Sequence, residues 1–301
     1  MSCDISVIIP SYNSSDKIPR CLAALDEQQT GASFEIIVVD SSEDGTGETL
    51  ERREEIRLIR SEGRVFPGTA RNRGAGAASG LILAFVDADC IPSPQWVQRI
   101  WEARPDLSNT LVGGCVANGT PESSIGSAEY FSELSALLPG SPQREVDFLP
   151  AANISVGASL FREVGGFKDY EKGSDVTLGK DCREKGIQPV LHPEIVVAHI
   201  NRTDFKGFAR NQERLGWGAG NNRVLYDLPG SWLAKFPPGW PLVPAVRFAR
   251  IAYRSFRDGS GQRVRVLKAL PFIFLGTLFF GCGFARGALE ARRALSSVSA
   301  G

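Results

Sequence analysis

Apolar residues in the first third of the chain follow two alternating patterns, namely short continuous runs and positions spaced with a helical period. The continuous runs are rich in β-branched residues, which is typical of strands buried on both faces. They predict four strands, at Ile5–Pro10, Phe34–Asp40, Ile56–Arg60 and Leu81–Val86. The intervening segments predict three helices, at Ser15–Gln29, Thr46–Glu55 and Pro67–Ser79. Alternation of this kind indicates an α/β protein with a mainly parallel sheet and helices on both faces.

Residues 111–200 are less regular, and we expect them to continue the same sheet as an α+β segment. The segments that carry this expectation are a strand and turn at 112–119, a strand at Asn153–Phe161, a helix at Ser174–Lys185 and a strand at Glu194–Ile200. The predicted domains are therefore residues 1–230, with halves at 1–110 and 111–230, and a C-terminal segment at 231–301.

The C-terminal segment differs from the rest in charge. Residues 201–301 carry 16 Lys and Arg against 5 Asp and Glu, whereas residues 1–200 carry 18 against 29. Four arginines, Arg247, Arg250, Arg254 and Arg257, recur at spacings that place them on one face of a predicted helix at Val243–Arg257. An uncharged run of 17 residues, Ala269–Ala285, then follows between basic residues.

These features favour association with an anionic membrane surface. The apolar run is short for a span, so a membrane-spanning helix, a re-entrant or interfacial segment, and a helix that packs within the protein or a dimer all remain open. No RNA-binding motif accompanies the charge, and we therefore expect no nucleic-acid partner.

The cysteines and the N-terminal residues bear on the compartment. Six cysteines are scattered without a CxxC pair, which disfavours a zinc cluster or a disulfide framework and is typical of a reducing compartment. The chain begins without a recognisable secretory signal. We accordingly expect the protein on the cytoplasmic face of the plasma (inner) membrane.

The fourth predicted strand ends in two acids, Asp87 and Asp89, separated only by Ala88. Strands of an open α/β sheet deliver their carboxyl ends to the ligand crevice. Two adjacent carboxylates repel each other unless a cation lies between them, and carboxylate oxygens are preferred ligands of Mg²⁺ and Mn²⁺. The pair therefore predicts half of a divalent-metal site that serves a diphosphate, although a strand-end turn with a helix cap explains a bare DxD equally simply.

Two other strand ends carry groups that suit a nucleotide. Asp40 ends the second strand and offers acceptors for a nucleobase or ribose, and a turn rich in Ser and Gly follows it. Tyr12 follows the first strand and offers a ring for a base to stack on. Each group alone is ordinary turn chemistry, but their order along three strands favours one shared site.

Three segments, at 6–25, 35–46 and 68–90, resemble in order and spacing the nucleotide-binding half of family 2 inverting glycosyltransferases, which have the GT-A fold. The resemblance extends over about residues 4–200. It implies a nucleotide-diphospho-sugar donor, a divalent metal, and a set of donor-site residues comprising Pro10, Tyr12, Asn13, Asp40, Ser42, Arg71, Asp87, Ala88 and Asp89. The family usually has a further Asp and then Gly-Ser after the second strand, whereas this chain has Ser41, Ser42 and Glu43.

The same resemblance extends to the second half of the predicted domain. Gly165-Gly166-Phe167 precedes a helix whose Asp175 matches the family's catalytic base, although Ser174 stands where Glu is common. The residues alone would make Asp175 a first-turn or capping acid. His199 matches a position that can complete the metal site, and a structural histidine is the alternative.

A later segment resembles, with imperfect spacing, the QxxRW element of processive relatives. The residues that it would place on the leaving-group or acceptor side are Gln212, Arg210, Arg214 and Trp217.

The resulting hypothesis is a hexosyltransferase that works with inversion in the synthesis of a cell-envelope polysaccharide or glycolipid. Its acceptor would be a glycan, a lipid-linked compound or a small molecule. A sugar nucleotidyltransferase would need a Gly-rich loop after the first strand, and residues 11–17 contain no glycine. A membrane-tethered protein that binds nucleotide sugars without turnover is the other alternative, which the departure at Ser174 favours.

Overall fold

The computed structural model describes residues 3–103, 111–169, 173–226, 228–258 and 261–299. The elements in chain order are β1 (Ile5–Ser11), α1 (Ile18–Asp26), β2 (Phe34–Asp40), α2 (Thr46–Leu50), β3 (Ile56–Arg60), α3 (Pro67–Ala77), β4 (Ile82–Val86), β5 (Cys90–Pro92), α4 (Trp96–Glu102), β6 (Leu111–Asn118), α5 (Ser124–Leu134), β7 (Arg144–Glu145), β8 (Asn153–Gly157), α6 (Ala158–Glu163), α7 (Ser174–Glu184), β9 (Val190–His199), α8 (Phe205–Leu225), α9 (Ser231–Lys235), a 3-10 turn (Pro237–Leu242), α10 (Val243–Asp258) and α11 (Arg263–Ser299).

Contacts between the elements divide the chain into two compact units. Unit 1 consists of Met1–Gly119 and Pro139–Ile200, and unit 2 consists of Thr120–Leu138 and Asn201–Gly301. The contacts thus group α5 and α8 with the C-terminal helices, which differs from the predicted division at residue 230. The predicted internal division at residue 110 lies outside the described residues, and the domain boundaries stay a prediction.

Unit 1 contains a mixed sheet in the order β3-β2-β1-β4-β8-β6-β9-β5, with β7 paired to β9. The first four strands along the chain are parallel neighbours, and β8 then joins β4 in the antiparallel direction. The four predicted strands of the first third are confirmed to within one residue at each end. The later strands β6, β8 and β9 belong to the same sheet, as expected for residues 111–200.

Two element predictions are wrong. The predicted strand Asn153–Phe161 ends at Gly157, and its second half is the helix α6. Gly157 begins that helix, and Leu160 and Phe161 turn inward from it, so the apolar run serves both elements. The predicted helix Thr46–Glu55 stops at Leu50, because Leu50 is the last residue of the polar segment that reaches the core.

The helix α3 lies close to β1 and β2 because its residues are small. A side chain at Gly74 would meet Ile8 Cγ2 at 2.5 Å. Below it, the rings of Phe85, Phe161 and Phe167 form one cluster with centroid separations of 5.1 to 5.5 Å. This packing fixes α3 against the carboxyl half of the sheet, where the candidate site lies.

Unit 2 is helical, and its central contact joins α8 to α11. The two backbones approach closely there because each helix has a glycine at the point where the other helix presents a backbone carbonyl. A side chain at Gly283 would meet the carbonyl oxygen of Glu213 at 2.0 Å, and one at Gly216 would meet that of Phe280 at 2.0 Å. The helix α11 also packs against α5 and α10.

One helix among the described residues, Arg263–Ser296, is long and apolar enough to cross a membrane by length and composition alone. It contains the uncharged run that the sequence analysis identified. Length and composition do not distinguish a span from a helix that packs in a core or lies in an interface.

Candidate active site

The carboxyl ends of β1, β2 and β4 meet at one edge of the sheet of unit 1. Ser11 lies opposite Asp40 in the pairing of β1 with β2, and Ile8 lies opposite Phe85 in the pairing of β1 with β4. The residues that follow these strands are therefore neighbours although they are far apart in sequence. The three predicted strand-end groups come together as expected from a parallel sheet.

Asp40 is fully buried at this edge. Its Oδ1 accepts a hydrogen bond from Ser42 Oγ at 2.6 Å, and Arg60 Nε lies 3.6 Å from its Oδ2. Ser42 Oγ in turn accepts a hydrogen bond from the amide of Asn13 at 2.7 Å, while Asn13 Oδ1 accepts one from the amide of Glu43 at 3.0 Å. Asp40 Oδ2 has no hydrogen-bond donor among the described residues, so one buried acceptor is left for a ligand.

Asn13 makes this connection from an unusual backbone conformation. Its φ of 49° lies in the left-handed region, which asparagine tolerates better than most residues. Pro10 ends the run of β1 just before this turn, and the ring of Tyr12 is 39% exposed. The guanidinium carbon of Arg64 lies 5.1 Å from the centroid of that ring, so a cation already occupies one face of the aromatic platform.

Arg71 projects from α3 to the residues that follow β4. Its buried guanidinium donates a hydrogen bond to Asp87 Oδ1 and lies 5.4 Å from the ring centroid of Phe167. Repulsion between Asp87 and Asp89 is thus relieved on one side by a protein cation. From the sequence we expected a cation between the two acids, and we expected that cation to be a metal ion. Arg71 supplies a cation from the protein itself.

Asp89 lies beside His199 because β5 pairs with β9 in the antiparallel direction. Cys90 is opposite His199 in this pairing, and His199 Nε2 is 3.5 Å from Asp89 Oδ1. The ligand atoms of Asp89, Cys90 and His199 all lie within 4.8 Å of one another. This spacing suits one divalent ion, and the carboxylate of Asp89 is a ligand of the kind that both Mg²⁺ and Mn²⁺ take. Ala88 is buried between the two acids.

Asp175 lies in the first turn of α7, directly after the left-handed Gly173. Its Oδ1 accepts a hydrogen bond from the amide of Val176 at 2.9 Å. Desolvation by the surrounding protein raises the pKa of Asp175, and the positive charge of Arg71 partly opposes this rise. A raised pKa makes the ionised carboxylate a stronger base than an ordinary aspartate.

Arg71 acts on Asp175 through its charge, and the way in which α3 is anchored sets the position of Arg71. Asn72 Nδ2 donates to the carbonyl of Phe167 at 2.7 Å, and the amide of Phe167 donates back to Asn72 Oδ1 at 2.9 Å. The turn before Phe167 needs glycine because Gly166 has a φ of 68°. These bonds hold the start of α7 against the helix that carries Arg71.

The four residues predicted for the leaving-group or acceptor side all lie on α8 in unit 2. Gln212 is fully buried and donates through Nε2 to Glu133 Oε1 at 3.2 Å, and Trp217 Nε1 donates to Glu290 Oε2 at 2.7 Å. Arg210 is exposed and Arg214 is partly buried. The described hydrogen bonds of Gln212 and Trp217 stay within unit 2, and the role of the four residues in the reaction stays a prediction.

Two residues of the site were missed in the sequence. Cys90 directly follows the DxD and is fully buried. The sequence did not indicate that its thiol lies near Asp89 and His199. Burial raises the pKa of its thiol, and the charges of Asp89 and Asp87 add to this rise. Arg64 lies in the loop between β3 and α3, where no periodic pattern points to it.

The fold and the arrangement of acids at its edge define a nucleotide-sugar transferase of the GT-A type. The sequence model of glycosyl transferase family 2 matches residues 6–163, which is more than half of the chain, and the protein therefore belongs to this family. The resemblance stated from the sequence and the expected class of enzyme are both confirmed.

Related proteins of known sequence agree with this assignment. Glycosyltransferase AglE of Haloferax volcanii is 29% identical over 221 residues, covering 71% of this chain and 72% of that protein. The pre-mycofactocin glycosyltransferase of Mycobacterium tuberculosis is 27% identical over 229 residues, covering 72% of this chain and 47% of that protein. The chain thus spans about half the length of the second relative.

Among solved structures, the mannosyltransferase PcManGT from Pyrobaculum calidifontis, in complex with GDP-Man and Mn²⁺, has a TM-score of 0.65 and 17% sequence identity. The match covers 96% of this chain and 88% of that chain. It confirms the fold.

Proposed function

We propose that this glycosyltransferase moves a sugar from a nucleotide-diphospho-sugar to an acceptor hydroxyl with inversion at the anomeric carbon. The observation that carries the proposal is the position of Arg71. Its guanidinium pairs with Asp87 and also interacts electrostatically with Asp175. The donor-side acid and the proposed base therefore share one cation, as a single reaction centre requires.

The donor would bind along the strand ends. Asp40 Oδ2 accepts no hydrogen bond within the described residues and suits an N–H group of a nucleobase, beside its ion pair with Arg60. Ser42 and Asn13 hold the carboxylate in place. The ring of Tyr12 offers the base a stacking surface, with Arg64 moving aside or covering the base from the other face. Pro10 and Ala88 shape the backbone on either side.

Asp89 and His199 would hold a divalent metal, with Cys90 near enough to contribute and Asp87 fixed beside them by Arg71. The bound metal would supply positive charge against the diphosphate of the donor. The presence of Mn²⁺ in the related mannosyltransferase structure supports this choice of cofactor, with Mg²⁺ as the second possibility.

Asp175 would act as the general base. As the acceptor oxygen forms its bond to the anomeric carbon, the carboxylate takes the hydroxyl proton. The bond from that carbon to the diphosphate oxygen breaks, and the nucleoside diphosphate leaves with the electron pair. The raised pKa of Asp175 suits this role because proton transfer is most effective when the pKa of the base lies near the working pH. A single displacement of this kind needs no covalent sugar–enzyme intermediate.

We further propose that the enzyme works at the cytoplasmic face of the plasma membrane. The excess of basic residues in the C-terminal hundred residues and the long apolar helix support this location. A glycan, a lipid-linked compound or a small molecule would then be the acceptor. The leaving-group role of Gln212, Arg210, Arg214 and Trp217 belongs to the same proposal.

Thermal unfolding in the presence of nucleotide sugars tests the function directly. A panel of UDP-, GDP- and TDP-sugars would be measured with Mn²⁺, with Mg²⁺ and with EDTA. We expect one or more donors to raise the melting temperature only when a metal is present, because a ligand that binds the native state stabilises it by mass action. No shift with any donor would contradict the proposal.

Release of the nucleoside diphosphate then separates an enzyme from a binding protein. The donor found by unfolding would be incubated with a panel of glycan, polyprenyl-phosphate and small-molecule acceptors. Metal-dependent release that increases with one acceptor supports transfer. Binding without release across the panel would instead support the inactive nucleotide-sugar-binding protein.

A further inference from the structure

The outer surface of α11 is apolar where a protein in water would be polar. Among the residues from 269 to 285, the exposed positions carry no charge. We call four of them the apolar face, namely Phe274, Leu275, Leu278 and Phe279, which are 36 to 50% exposed. The opposite side of the same helix is buried within unit 2, with Ile273, Phe280 and Phe284 turned inward. A helix that is apolar all round requires an apolar environment on both sides.

The neighbouring helix α10 presents a mixed face to solvent. Val246, Arg250, Tyr253 and Arg257 recur at helical spacing on one side, and all four are exposed. The guanidinium carbon of Arg257 lies 5.3 Å from the ring centroid of Tyr253. Phe248 of α10 touches Phe274 of α11 with a centroid distance of 5.7 Å, so the two helices are side by side. Alternating aromatic, aliphatic and arginine side chains are typical of a helix at a lipid headgroup boundary.

Packing against α8 prevents α11 from crossing a bilayer without that helix. The carbonyl oxygens of Glu213 and Trp217 lie where side chains of Gly283 and Gly287 would be, so the two backbones are in close contact. Charged side chains join the same helices, since Arg286 Nη1 lies 3.0 Å from Glu213 Oε1. Carrying α8 into the hydrocarbon would bury several such groups, and each charged side chain at the bilayer centre is strongly unfavourable.

Basic residues border the apolar face at both ends of α11. Arg263, Arg265 and Lys268 precede it, and Arg286, Arg292 and Arg293 follow it, all exposed. A spanning helix would leave these two clusters on opposite sides of the membrane. A helix lying in the interface places both against the headgroups of one leaflet, where each cation near an anionic surface is attracted to it.

We propose that α10 and α11 bind in the plane of an anionic bilayer, with the apolar face inserted below the headgroups and both basic clusters on the same side. This inference rests on the proposed membrane location and specifies its geometry. The partner is the lipid surface itself, because the positive charge around the face complements anionic headgroups and would repel the same basic face of a second copy of the chain.

Binding to vesicles tests the partner. Full-length protein would be mixed with vesicles of phosphatidylglycerol and phosphatidylcholine, and with phosphatidylcholine alone. We expect at least about tenfold tighter binding to the anionic vesicles, weakened by salt. The double variant Leu275→Ser, Leu278→Ser should bind at least about tenfold more weakly. The control Leu81→Ser removes a leucine of unit 1 that is more exposed than either of these, and this variant should bind normally.

Labelling from one side tests the geometry. Single cysteines at Arg265→Cys and Arg293→Cys would be placed in a Cys3→Ser, Cys282→Ser background, and the protein bound to the outside of sealed vesicles. Both positions should react with a membrane-impermeant maleimide, with and without detergent. Protection of either cysteine until detergent is added would mean a span and would overturn the proposal. A soluble dimer that ignores both kinds of vesicle would overturn it as well.

The result is independent of the reaction. Melting-temperature shifts with the donor would be recorded for the same variants, which lie outside the candidate site. Loss of vesicle binding with an intact donor shift reflects the membrane surface alone, whereas a missing donor shift in wild type would count against the proposed function.

Discussion

The two units of the chain differ in how many large apolar side chains they expose. Unit 1 buries continuous apolar strands and collects its acids at the edge where those strands end. Both units bury polar side chains, such as Asp40 in unit 1 and Glu129 and Gln212 in unit 2. Of the 19 large apolar side chains that are exposed among the described residues, 15 lie in unit 2 and four in unit 1. This difference is the observation behind the membrane surface that we propose for unit 2.

The buried polar groups of unit 2 are connected by hydrogen bonds and charge. Glu129 Oε1 accepts from Asn211 Nδ2 at 2.7 Å and from Arg202 Nη1 at 2.5 Å. Arg247 donates to the carbonyl of Ser132 at 3.0 Å and lies over the ring of Phe280. Burial lowers the pKa of Arg247 to about 9, which still leaves it charged at neutral pH. Such a network specifies one arrangement of the helices because each member is costly to leave unpaired.

The largest effect is expected from removing an acid at the edge of the sheet in unit 1. Asp89→Ala should reduce metal-dependent donor affinity by at least about 10–100-fold, because it removes a direct metal ligand. Loss of a group that only hydrogen-bonds to a ligand already lowers metal affinity by about that factor. Calorimetric titration with donor and Mn²⁺ measures the effect. The fold should survive, since Asp89 is partly exposed at a strand end. Glu54→Ala, an exposed acid elsewhere in unit 1, is the control, and an unchanged metal dependence in Asp89→Ala would exclude this metal site.

A smaller effect is expected from crowding the helix contact of unit 2. A methyl group at Gly283 would overlap the carbonyl of Glu213, so Gly283→Ala should lower the free energy of unfolding by about 1–3 kcal/mol. The matched variant Gly76→Ala adds the same methyl to α3, where nothing lies within 4 Å, and should be neutral or stabilising by up to about 1 kcal/mol. Chemical denaturation compares the two, and equal stabilities would mean that the glycine contact is not needed.

The smallest expected change concerns the folding stability that is lost by desolvating the proposed base, Asp175. Desolvation raises the pKa of Asp175 above its unfolded value, so the folded state holds the proton more tightly and loses stability as pH rises through the raised pKa. Asp175→Asn should therefore raise the melting temperature at neutral pH, and the gain should vanish at pH values below the unfolded pKa of about 3.9. Glu54→Gln should show no such dependence. A loss of stability in Asp175→Asn at neutral pH would mean that electrostatic attraction to Arg71 outweighs desolvation.

The fold of unit 1 was largely predictable because its strands carry the signal themselves. The runs that became β1, β2 and β4 are apolar throughout, and a parallel sheet brings their ends together whatever follows. Asp40 and Asp87 could therefore be placed at one edge from sequence alone. Their individual partners could not, since Arg71 reaches Asp87 through packing of α3 that depends on residues near Phe167.

The remainder of the site depends on pairings between distant segments. Asp89 meets His199 only because β5 pairs with β9 across more than one hundred residues, and no local pattern encodes this pairing. Asp175 and His199 were identified through family resemblance rather than through periodicity. The arginine pattern of α10 predicted a shared face, and the structure instead turns Arg247 inward while Arg250 and Arg257 remain exposed. Spacing alone does not say which side of a helix will be covered.

The central claim is that the desolvated carboxylate of Asp175 performs base catalysis, and Asp175→Asn tests it most directly. The amide keeps the shape and the acceptor for the amide of Val176 but does not take a proton. Steady-state transfer and donor affinity would be measured together, with Ser174→Glu as a variant expected to be tolerated. We expect kcat to fall by about 10²–10⁴ while the donor Kd changes little. Turnover within a few-fold of wild type would contradict the account and would make His199 the next candidate for the base.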